Sequence, residues 1–134
     1  MKMKIKDLSV ELLNDAVLMF ERPDLVISPD KNWWWTNAGQ PVCRRGEHPL
    51  GDWSGPADDW SIGGPIIERE RIDLMAWNQR EDGVWFSSLG FVHDTPGWDA
   101  DGGNDMKGEG PTPLIAAMRA FVSSKWGEEI EVPE

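Results

Sequence analysis

At 134 residues the chain has the size of one domain, long enough to bury roughly two-thirds of its unfolded surface. Its formal charge is −11, from 24 acids against 13 lysines and arginines, which opposes direct nucleic-acid binding and suits a soluble acidic protein. Apolar residues make up 40% but form no run near the ~20 residues of a bilayer span. Met1-Lys2-Met3-Lys4-Ile5 has no apolar stretch like that of a signal peptide, and a single cysteine, Cys43, admits no internal disulfide. The expectation is a single domain, 1–134, cytoplasmic and without a membrane partner.

In chain order, residues 2–6 alternate Lys with Met or Ile, the pattern of a short strand whose lysines suit a sheet edge. Ser9 then serves as an N-cap, and Leu13, Ala16, Val17 and Phe20 follow at helical spacing, so a helix is predicted over 10–21, closed by Pro23. From 23 to 65 the chain is rich in Pro, Gly, Asp, Asn and Trp, with short strands near Leu25-Val26-Ile27 and around Trp33-Trp34-Trp35. Gly63-Gly64-Pro65 reads as a tight turn into a strand that alternates Ile66, Glu68, Glu70 and Ile72 with Arg69 and Arg71. Asp82-Gly83 marks the turn of a hairpin between 72–78 and Val84-Trp85-Phe86-Ser87. Residues 93–111 read as a polar, Gly-rich loop. Thr112 and Pro113 then start the clearest element, a helix to Trp126 that Gly127 ends, and 128–132 can add a strand. The predicted fold class is α+β, a small antiparallel sheet packed against two main helices at about 10–21 and 113–126, with long Trp/Gly-rich loops.

Nine tryptophans and no tyrosine are the anomaly of composition. In an extended Trp33-Trp34-Trp35 the first and third rings face one way and the second the other. At least one of the three is expected to meet a ligand, a partner subunit of a homo-oligomer, or solvent.

Most of the usual chemistry fails on spacing. Asp99 to Asp105 alternates oxygen ligands, but Asn104 stands where a calcium loop needs Gly and Gly110 where it needs Glu. Cys43, His48 and His93 have no zinc spacing. Ser87 or Ser88 with His93 and Asp94 has no nucleophile elbow around it. Asp58, Asp59 and Glu68 could pair as acid and base, in a chain where acids are abundant. No metal or cofactor is expected. The arrangement singled out is an anion site: backbone N–H groups at Gly63-Gly64 and at the helix start at Thr112, completed by Arg69 and Arg119, with Trp60 to stack on a base or sugar.

Two segments carry a family likeness. Asp59-Trp60-Ser61-Ile62-Gly63-Gly64-Pro65-Ile66-Ile67-Glu68-Arg69-Glu70 is one, and Gly110-Pro111-Thr112-Pro113 through Trp126-Gly127, on to Glu131-Val132-Pro133, is the other. With the opening Lys4-Ile5-Lys6-Asp7-Leu8-Ser9 they resemble the phage NinX family, small proteins of unknown function from temperate phages and prophages. The resemblance covers about half the chain and leaves out the Trp triplet and the 101–110 loop. It implies a phage-encoded cytoplasmic accessory protein, neither capsid nor core replication machinery, and brings no catalytic residues. Three functions follow as expectations. The first is a non-enzymatic binder of a small anionic, nucleotide-like ligand that sequesters a host defence signal. The second is a module that engages a host protein through exposed Trp and acidic surface. The third is a small enzyme using Asp59, Glu68 or His93.

Overall fold

The computed structural model describes residues 2–51, 53–76, 84–88 and 107–132. Over these the chain runs β1 (Lys2–Lys4), a 3-10 turn (Ile5–Asp7), α1 (Val10–Glu21), β2 (Val26–Ile27), β3 (Trp33–Trp35) and β4 (Pro41–Arg44). It continues through α2 (Trp60–Glu70), β5 (Asp73–Ala76), β6 (Trp85–Ser88), β7 (Lys107–Gly110), α3 (Pro113–Trp126) and β8 (Glu129–Glu131). The fold is α+β, with three helices and three small antiparallel sheets, β1–β8, β2–β3–β4 and β5–β6–β7.

The two helices read from sequence stand where their caps place them. The Ser9 hydroxyl accepts from the Leu12 amide, and the Thr112 hydroxyl accepts from the Ile115 amide. Gly127, at φ 85, ends α3 in a conformation that glycine adopts without side-chain strain. The hairpin of residues 72–78 with 84–87 is β5 paired with β6, although its Asp82-Gly83 turn lies outside the described residues.

Residues 65–72 correct the sequence reading. They belong for the most part to helix α2, so Gly63-Gly64-Pro65 lies inside a helix and is no turn. Two glycines at about 1 kcal/mol each and a proline at about 3 argue against helix on propensity. The opposing forces are tertiary. Asp59 caps the helix by accepting from the Ser61 amide at 2.9 Å, and Ile62 and Ile66, one turn apart, are both buried. Residues 107–110 are the second correction, since the end of the expected 93–111 loop is strand β7; residues 93–106 lie outside those described.

The main core joins Ile5, Leu13 and Val17 to Met118, Phe121 and Ile130, so both ends of the chain close over α1 and α3. A smaller cluster of Leu18, Leu25, Trp34 and Cys43 lies beneath β2–β3–β4. Helix α3 turns its small side against the β5–β6–β7 sheet: Ala116 and Ala120 are fully buried, and Gly108 of β7 comes directly against their backbone. No described helix is long and apolar enough to cross a membrane.

Candidate functional site

The residues of the expected anion site are partly brought together, but in other roles. Gly63 does adjoin the start of α3. A Cβ there would meet the Pro56 carbonyl oxygen and lie 2.7 Å from Leu114 Cδ2, so the glycine allows close packing. Its N–H donates to the Asp59 carbonyl at 2.8 Å, and Gly64 lies one residue further inside the same helix. Thr112 caps its own helix. Arg69 is answered by carboxylates, with Nη1 3.5 Å from Glu21 Oε2 and Nε 3.2 Å from Glu70 Oε2. Arg119 donates to the Glu109 carbonyl at 2.7 Å; burial pulls its pKa down while Asp7 and Glu109 oppose that shift. Trp60 opens α2 and is 55% exposed.

The two glycines therefore differ in cost. Gly63→Ala is expected to destabilise by about 1–3 kcal/mol, because the Pro56 backbone cannot yield to the added methyl. Gly64→Ala places its methyl 3.9 Å from Trp60 Cε3, an ordinary contact. A Cβ ahead of Pro65 disfavours helical backbone and offsets the gain in propensity, so the change should be within about 1 kcal/mol of neutral. Urea unfolding of the two variants checks both.

The most heavily bonded part of the molecule lies elsewhere, on two adjacent polar residues of α1. Asp15 is 2% exposed and accepts from Trp34 Nε1 at 2.9 Å, Gly46 N at 2.8 Å, and Arg45 Nε and Nη2 at 3.0 Å each. Asn14, also buried, donates to the Gly46 carbonyl at 3.0 Å and accepts from the Ala57 amide at 2.8 Å. Asp58 accepts from Gly55 N at 2.7 Å, and Asp59 accepts from the Ser54 hydroxyl at 2.8 Å. The Ser61 and Ser54 hydrogen bonds hold the Asp59 carboxyl below the ordinary aspartate range. The 46–59 segment, devoid of helix or strand among its described residues, is thus tied down by side chains rather than by a backbone ladder.

The same segment turns large apolar groups outward. Leu50 is 83% exposed and Trp53 78% exposed. Trp53 adopts φ 67, a left-handed backbone unusual for a bulky residue. Its ring and that of Trp33 both lie against Arg44, whose guanidinium carbon is 5.9 Å and 5.5 Å from the two ring centroids. Trp33 and Arg44 are cross-strand partners, which places them side by side on β3 and β4.

His48 fixes the base of this loop. Its Nδ1 accepts from the Leu50 amide at 3.1 Å, its amide donates to the Ser54 carbonyl, and its carbonyl accepts from Gly51 N. Burial lowers its pKa from 6.5, against a smaller upward pull from Glu21. The unfolded chain therefore binds the proton more readily, and the stability contributed by neutral His48 is complete above pH 6.5 and declines as the pH falls below it. His48→Asn keeps an acceptor near Nδ1 without the titration. Unfolding curves between pH 5 and 8 should be flatter for this variant than for wild type.

In the Trp triplet, Trp34 is buried on Asp15 while Trp33 and Trp35 remain half-exposed, the alternation expected of an extended segment. Ser87 is buried and its hydroxyl donates to the Ala116 carbonyl. Asp94, His93 and the 99–105 acids lie outside the described residues, and no group able to hold a metal occurs among those described. Burial pushes the Cys43 thiol up to about 11, which keeps it protonated at neutral pH.

Sequence reasoning passed over Asn14, Asp15, Arg45, Leu50 and Trp53, and weighed His48 only as a zinc ligand. Two signals existed. One is an Asn-Asp pair set between Leu13 and Ala16 in an otherwise apolar helix, and the other is a tryptophan inside the turn-forming run Gly51 to Pro56. No curated protein matches the chain. The family model of bacteriophage P22 NinX matches residues 4–125, which takes in α1, the Asn14–Asp15 network, the 46–60 segment and most of α3. The chain therefore belongs to the phage P22 NinX family and is a phage-encoded accessory protein.

Proposed function

We propose that the protein is an interaction module that engages a host protein through the 46–60 segment. The observation that carries this reading is a pairing of rigidity with exposure. Asn14, Asp15, His48, Asp58 and Asp59 hold the backbone, while Leu50, Trp53 and Trp60 extend into solvent. Exposed tryptophan on a pre-ordered backbone binds without the entropy loss of ordering a loop, and tryptophan is enriched among residues that dominate binding energy. The unusual backbone at Trp53 supports the same reading, since a glycine or asparagine would sit there with less strain.

A small-anion site draws less support, because the Gly63 amide is engaged within α2 and Arg69 already faces Glu21 and Glu70. Millimolar nucleotides and cyclic nucleotides are expected to leave the melting temperature unmoved, and a clear shift would favour the anion reading instead. The interaction reading is tested with a photo-crosslinking residue at position 53 in the bacterial host. The crosslinked protein is identified, purified and titrated against wild type and Trp53→Ala. Loss of about 2 kcal/mol of affinity, with stability changed by less than about 1 kcal/mol, is the expected result. Equal affinity for both chains would remove the segment from consideration.

A further inference from the structure

Resting on that reading of the 46–60 segment, the geometry points to a particular occupant: a protein face with a cationic rim around an apolar pocket. Acids predominate along the segment that carries Trp53 and Trp60 and on α2 beyond it. Glu47 and Asp59 are half-exposed, and Asp58 and Glu68 are exposed. Pro65 has no N–H, so the Ser61 carbonyl, one residue from Trp60, lacks the donor that a helix normally supplies four residues on. Of the two cations that precede the segment, Arg45 pairs with Asp15, while Arg44 keeps its charge, exposed against the indoles of Trp33 and Trp53, and is outnumbered by these acids.

A partner that covers this surface must bring donors to its rim and an apolar cavity to its centre, or it leaves carboxylates desolvated without counter-charge. Three other occupants meet repulsion. A second copy of the chain carries the same acids and the same charge of −11, and nucleic acids and anionic bilayers are negative as well.

The test uses a random peptide library, panned on the immobilised full chain and counter-selected on a Trp53→Ala/Trp60→Ala variant; Trp53→Gln replaces that variant should it lose its fold. Retained peptides are expected to combine Lys or Arg with large apolar residues. Synthetic copies should bind about tenfold more weakly at 0.5 M than at 0.05 M salt. A Glu47→Gln/Glu68→Gln variant, which removes two charges that make no hydrogen bond shown in the fold, should weaken binding about threefold at low salt. At high salt it should match wild type. Peptides that require Trp53 but are neutral or acidic, and bind regardless of salt, overturn the cationic occupant and leave the interaction module standing. Peptides retained equally on the alanine variant, or no enrichment at all, overturn the module itself. A dimer in sedimentation that Trp53→Ala dissolves replaces the cationic partner with a second copy of the chain.

Discussion

Replacing Asp15 with alanine is expected to destabilise the protein by about 3–5 kcal/mol, a large fraction of what a domain of this size possesses. The carboxylate serves two separate pieces of chain, β3 through Trp34 and the turn after β4 through Arg45 and Gly46 N. Its removal leaves an indole N–H and a backbone N–H buried without an acceptor. It also takes the Asp15 carboxylate from a guanidinium whose side chain is 14% exposed. Arg45 keeps its bond to the Lys31 carbonyl at 3.3 Å. Urea midpoints measure the loss. Adding Arg45→Ala to Asp15→Ala should cost less than the two single losses summed, because the buried cation disappears with its partner. A loss under about 1 kcal/mol for Asp15→Ala would show that water replaces the carboxylate and that the loop is anchored elsewhere.

Gly108→Ala is expected to be about as damaging, at about 3 kcal/mol or more, for an unrelated reason. A methyl group there would run into the Ala116 carbonyl oxygen, lie 2.5 Å from the Ala120 nitrogen and 2.8 Å from Ser87 Oγ. Two of these are backbone atoms within a helix, so relief requires α3 to lift off the β5–β6–β7 sheet. Gly110→Ala meets Ile115 Cγ2 at 2.8 Å, the Ala116 nitrogen at 3.1 Å and Ile115 Cβ at 3.2 Å, overlaps that a smaller shift relieves, and should be the milder of the two. Comparing their denaturation midpoints tests the assignment directly; equal effects would mean that α3 rides on the sheet with slack.

These sites show where sequence was readable and where it was not. Helices α1 and α3 announced themselves through caps, Ser9 and Thr112, and an apolar stripe, because both signals are local. Helix α2 was hidden by its own composition. Gly63 is there for the Pro56 carbonyl and Leu114, contacts with distant parts of the chain that no window around it reveals, and Pro65 pushes local preference the wrong way. The glycines of β7 misled in the same manner, looking like loop while serving the close approach of α3. The anion site drew one of its two sets of backbone donors from the supposed turn at Gly63-Gly64, which lies inside α2. The outward-facing Trp53 and Leu50 were invisible because exposure depends on what Asn14 and Asp15 tie down, more than thirty residues earlier in the chain.

The pairing of Lys2–Lys4 with Glu129–Glu131 has a consequence for how the molecule comes into being. Closing contacts across nearly the whole chain carries a loop entropy that grows with length, and it slows folding wherever such contacts are needed early. On the ribosome, β1 and the apolar side of α1 emerge long before their partners Phe121, Val122 and Ile130. Until then Ile5, Leu13 and Val17 have nothing complete to cover them, so the nascent chain must carry an open apolar face through most of its synthesis. The stretch from α3 to β8 then acts as the closing step, and the early elements complete their core only once it has emerged.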